Sequence, residues 1–171
     1  TRRLSSAASD VYKRQTLLTN AKVIDPVTET ISDGEIMFED GIIISREKED
    51  KTIDCQGLYL SPGLIDLGVK VGEPGERHKE SYKSAGAAAA AGGVTTIVTR
   101  PDTHPAIDTP EVLEFIRRRA HDVCPVNVVH MAALTKERAG REMTEIGFLK
   151  DAGAIAFCLL YTSDAADDSL R

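Results

Sequence analysis

Asp66, Gly68 and Lys70 alternate along an apolar run, LIDLGVKV, that reads as a strand; they share one face while Ile65, Leu67, Val69 and Val71 share the other. One face offers packing and the other chemistry. A lysine at the mouth of a packed site is costly unless an acid pairs with it, and Asp66 and Asp102 are the carboxylates placed to do so. Glu73, in GEPG, has two readings: a general base, or a carboxylate that fixes its loop by accepting backbone N–H bonds. His130, in NVVHMAALT, reads as a hydrogen-bonded core or strand-end histidine ahead of a metal ligand. His78 and His104 stand in polar stretches, where exposure accounts for them. Cys55, Cys124 and Cys158 are isolated and odd in number, with no CxxC or Cys/His spacing, so they read as buried apolar fillers.

What positions these residues is a change of pattern at Ser61. From Thr16 to Leu60, short strand-like runs (LLTNAKVID, GEIMFEDGIIIS, KTIDCQGLYL) are split by turn signals, with Asp40-Gly41 as a hairpin turn. This predicts a small antiparallel β unit. The charged run REKED reads as a solvated loop. Beyond Ser61, βα units recur at roughly 30 residues, the length of a strand, its helix and two loops. Strands are predicted over 64–71, 94–99, 124–131 and 154–157. The first helix spans Lys79 to Ala91 and stops at Gly92-Gly93. The second has Thr109 as N-cap and Pro110 at its first position, with Val112, Phe115 and Ile116 on one face. The third runs from Glu142 to Ala152, burying Ile146 and Leu149, and stops at Gly153.

Four parallel strands with intervening helices fit an open doubly wound sheet or half of a (β/α)8 barrel. The first βα turn, VGEPGERHKE, is neither GxGxxG nor a Walker loop, which favours the barrel half. The chain has 171 residues, no Trp, a formal charge of −6 and a pI near 5.2. Its basic residues are scattered among acids, which disfavours nucleic acid as a partner. No apolar run approaches the roughly 18 to 20 residues of a membrane span, and the cytoplasm is the expected compartment. Two flanks lose all periodicity: TRRLSSAASDVYKRQ, residues 1–15, and CLLYTSDAADDSLR, residues 158–171. Both resemble conceptual translations of sequencing-adapter DNA and are set apart as a foreign leader and a foreign tail.

Three segments, SPGLIDLGVKVGEPGERHKE, AAAAGGVTTIVTRPDTHPAID and AALTKERAGREMTEIGFLKDAGAIAF, resemble the dihydroorotases of the cyclic amidohydrolase superfamily in order and spacing. The resemblance implies that residues 16–60 belong to a small β-sandwich and residues 61–157 supply the first four strands of the barrel. It implies hydrolysis of a cyclic amide in pyrimidine synthesis, zinc as cofactor, and an oligomer for the complete protein. In that family an HxH pair at the end of the first strand binds zinc. Gly68 and Lys70 occupy the matching positions here. Glycine brings no side chain, and a protonated lysine repels the ion. The family's substrate-binding arginine and asparagine fall on Gly72 and Asp102. An aspartate repels the substrate carboxylate that the family attracts at this position. The surrounding framework, including Pro62, Gly63, Asp66, Glu73 and Lys79, keeps the pattern. The expectation is therefore no catalytic residue and no zinc bound by this chain. The alternatives are an impaired dihydroorotase-type hydrolase and a non-catalytic homologue serving aspartate carbamoyltransferase as a structural partner.

Overall fold

The computed structural model describes residues 15–45 and 49–159. The leader, residues 1–14, and the tail from residue 160 onward lie outside the described residues. The chain divides between Pro62 and Gly63 into two compact units.

The first unit is a five-stranded sheet of β1 (Thr16–Asp25), β2 (Thr30–Glu39), β3 (Ile42–Ile44), β4 (Lys51–Asp54) and β5 (Tyr59–Leu60). Asp40 and Gly41 close the β2–β3 hairpin, both at positive φ, 50° and 81°. That is the backbone a two-residue turn needs to match strand twist. The sheet is mixed, not antiparallel as the turn signals suggest: β4 and β5 both run parallel to β1. Two reversals, into β2 and into β3, leave the chain travelling in the direction of β1. Because β2 already holds one edge of β1, the returning chain adds to the other. Gln15, counted with the leader, is held in this sheet through Asp50 and Lys51, whose N–H groups donate to its carbonyl at 3.0 and 3.1 Å.

The second unit is a parallel sheet in the order β6 (Leu64–Val69), β7 (Val94–Thr99), β8 (Asn127–Ala133), β9 (Ala154–Cys158). Between the strands lie α1 (Tyr82–Ala91), α2 (Pro110–Val123) and α3 (Ile146–Asp151). A reciprocal bond between Ser81 and Ser84 caps α1, and Thr109 caps α2 ahead of Pro110. The core joins Val71, Tyr82, Ile107, Leu113, Ile116, Ala132 and Leu149, with Val69, Val128 and Phe157 packed on it. Gly86 lets α1 lie against Cys124 and Pro125, whose atoms a Cβ there would overlap.

The elements depart from expectation where tertiary contacts intervene. On α2 the buried positions are Leu113, Ile116 and Ala120, whereas Phe115 is exposed. Cys124 caps α2 through its N–H to Ala120 and precedes a proline, so β8 begins at Asn127. Residues 142–145 do not join α3. Met143 bridges Thr135, and the Thr144 hydroxyl donates to the Ala133 carbonyl at 2.9 Å, which pins this stretch beside β8. Cys158 is the last residue of β9, with Leu134 donating to its carbonyl at 3.4 Å, so the predicted boundary falls inside the strand. All three cysteines are free and half-buried.

Candidate functional site at the ends of β6 and β7

Leu67 pairs with Val98 and Val69 with Thr99, so Gly68 is an extra residue in β6, bulged out at φ 87°. A bulge reverses side-chain alternation beyond it. The single apolar face expected of Ile65, Leu67, Val69 and Val71 is therefore split. Val69 and Val71 pack on the core, while Ile65 and Leu67 remain exposed at 63% and 72%.

Past the bulge, Gly68 and Lys70 look onto the end of β7. The space where a Gly68 side chain would stand meets Arg100 Cδ at 3.8 Å. Lys70 Nζ lies 3.4 Å from Asp102 Oδ2. Arg100 grips the same carboxylate with two bonds, Nε to Oδ1 at 3.2 Å and Nη2 to Oδ2 at 2.8 Å. The Asp102 side chain is 4% exposed and that of Lys70 54%. Burial works to raise the Asp102 carboxyl. The Arg100 bonds and charge, joined by Lys70, outweigh it and hold the group below the usual carboxylate range. Of the two partners expected for Lys70, Asp102 is the one engaged, and Asp66 is exposed on β6.

Gly72 is buried in the turn that follows. Glu76 N–H donates to the Gly72 carbonyl at 2.6 Å, and a Cβ on Gly72 would overlap the Glu76 carbonyl oxygen. Glu73 is a loop-fixing carboxylate: Oε2 accepts from Tyr82 N–H at 3.2 Å, Oε1 from Arg119 Nε at 2.8 Å, and Arg77 approaches to 3.8 Å. Its two oxygens are thus occupied by the start of α1 and the middle of α2. His130 is buried on β8, its Nδ1 sharing a hydrogen bond with Thr99 Oγ1 at 2.7 Å and its ring edge-on to Tyr82. Burial, helped by the Arg117 charge, pushes its pKa down to about 4. His78 and His104 are exposed, as their polar surroundings imply. Arg100, Arg119, Thr99 and Tyr82 escaped notice in the sequence. Arg100 alone carried a signal, standing two residues before Asp102 at a strand end.

These residues do not fit the zinc that the resemblance implies. Metal binding needs lone pairs, and position 68 offers no side chain while position 70 offers a cation already drawn to Asp102. Asp102 is engaged by Arg100 and Lys70. Among the described residues, no three His, Cys, Asp or Glu side chains gather as a metal site would require.

A family model described as "Dihydro-orotase-like" matches residues 57–163, well over half of the chain. The chain belongs to the dihydroorotase-like family. It is 42% identical over 146 residues to the dihydroorotase of Wolbachia sp. subsp. Drosophila simulans (strain wRi), covering 81% of this chain and 33% of that protein. To the dihydroorotase of Bacillus pumilus it is 42% identical over 125 residues, covering 73% of this chain and 29% of the relative. The chain thus spans about a third of the length of these curated relatives. Among solved structures, the L-hydantoinase (dihydropyrimidinase) of Arthrobacter aurescens superposes with a TM-score of 0.73 at 20% identity, covering 92% of this chain and 37% of that one. The D-hydantoinase of a Thermus species gives 0.67 at 20% identity, over 88% and 35%. That likeness shows the fold: β6 to β9 and their helices are the first half of a (β/α)8 barrel.

Proposed function

We propose that this dihydroorotase-like chain belongs to a protein that keeps the cyclic-amide hydrolase fold of pyrimidine synthesis without its metal-assisted hydrolysis. The observation that carries this reading is the Lys70–Asp102 pair, 3.4 Å apart and locked by Arg100, at the positions where the family places a zinc ligand and a substrate-binding asparagine. Hydrolysis of an unstrained amide near neutral pH needs an activated water, whose pKa unaided is about 15.7. A lysine cation at the end of β6 activates nothing of the kind. Asp102, its carboxylate engaged by Arg100 and Lys70, also offers a substrate carboxylate no hydrogen-bond donor where the family has an amide.

The test is elemental analysis of the purified protein after exposure to zinc, together with dihydroorotate turnover. We expect far less than one zinc per chain and no turnover. Near-stoichiometric zinc with turnover that a chelator abolishes would return the protein to the working dihydroorotases. A structural role is what remains for a fold without its hydrolysis, and aspartate carbamoyltransferase is the partner to test, by co-purification at defined stoichiometry.

A further inference from the structure

Two glycines, not only two missing ligands, set the shape of this strand end. Gly68 sits at φ 87° in a bulge, a backbone that side-chain-bearing residues rarely adopt. Gly72 closes a turn in which a Cβ would overlap the Glu76 carbonyl oxygen, with the Glu80 carbonyl also close, at 3.0 Å. Between them Lys70 reaches Asp102, and Arg100 holds that carboxylate from the other strand. The register shift places Val69 against Thr99 and aims Lys70 at β7.

We propose that the site is rebuilt in its backbone: the bulge at Gly68 and the closed turn at Gly72 commit the ends of β6 and β7 to an ion-pair clasp of Lys70, Asp102 and Arg100. Lys70 is then a tethered cation that joins the two strand ends. The proposal rests on the non-catalytic reading but makes a separate demand. Returning the family's ligands as side chains does not return the metal, because the backbone at 68 does not suit an L-residue and the turn at 72 admits no side chain.

The test uses the full chain and five variants, with zinc content by elemental analysis and the thermal midpoint at low protein concentration as readouts. Gly68→His/Lys70→His is expected to hold no more zinc than the parent sequence; near-stoichiometric zinc at an unchanged midpoint overturns the proposal. Should that variant fail to fold, Gly68→Ala decides, since it adds only a Cβ. Its midpoint is expected to fall by about 2–8 °C, and an unchanged midpoint overturns the backbone claim. Lys70→Met and Asp102→Asn, alone and combined, test the clasp: the sum of the two single losses is expected to exceed the loss in the double variant, and simple additivity overturns it. Zinc bound by the unaltered chain would sink the proposed function, whereas the Gly68→Ala and coupling results bear on the clasp alone.

Discussion

His130 shows what one buried side chain can impose on the whole. Among the described residues its ring has a partner for Nδ1 in Thr99 and none for Nε2, so a second proton would bury a donor with nothing there to receive it. The folded pKa of about 4 lies below the ordinary 6.5, so the unfolded chain takes up a proton across that window while the folded chain does not. Stability is therefore unaffected above about pH 6.5 and falls as the pH drops from there toward 4. The loss expected is on the order of 3 kcal/mol. His130→Gln keeps a partner for Thr99 and does not titrate. Urea midpoints measured at low protein concentration from pH 7 to pH 4 should show the variant with a clearly flatter profile; parallel profiles would contradict a neutral, buried His130.

At the scale of the element, two glycines in helices should answer the same substitution with opposite signs. In α1, Gly86 faces the Cys124 Sγ and the Pro125 ring, both of which a Cβ would overlap. Alanine gains about 1 kcal/mol of helix propensity there, but forcing the helix off a proline ring costs about 1–3 kcal/mol. Gly86→Ala is expected to lose on balance by about 1 kcal/mol. Gly147, in α3, has nothing within 4 Å of its would-be Cβ. Gly147→Ala is expected to stabilise, by up to about 1 kcal/mol. Denaturant titration of both variants checks the pair, and a stabilised Gly86→Ala would show that α1 does not rest on the turn between α2 and β8.

For the whole molecule the consequence of half a barrel is open edges. Among the described residues β6 pairs only with β7, and β9 only with β8. Ile65, Leu67, Phe148 and Ile155 are all more than half exposed. Unpaired strand edges beside exposed apolar side chains recruit other chains. The chain by itself is expected to associate as its concentration rises, and its melting to broaden with it, measurable by sedimentation velocity and calorimetry. A monomer at high concentration with one sharp, cooperative transition would count against this account.

The sequence by itself determined the order of elements, the four parallel strands, the Asp40-Gly41 hairpin, the caps at Thr109 and Pro110, and the family. Each of these is written in local signals: period-2 and period-3.6 patterns, turn residues, and motifs of fixed spacing. It also placed Gly68, Lys70 and Gly72 at the end of one strand, because register along a strand is counted in residues, and the family resemblance brought Asp102 to the same site. Only the tertiary structure decided which face each residue shows. A bulge adds one residue without altering composition, so the reversal between Leu67 and Val69 is invisible until β6 is laid against β7. The choice of Asp102 over Asp66 for Lys70, the grip of Arg119 on Glu73, and the burial of His130 under Tyr82 depend on partners 32, 46 and 48 positions apart, brought together only by the sheet and its helices. Their pairing follows from distance in space, which no window along the chain measures.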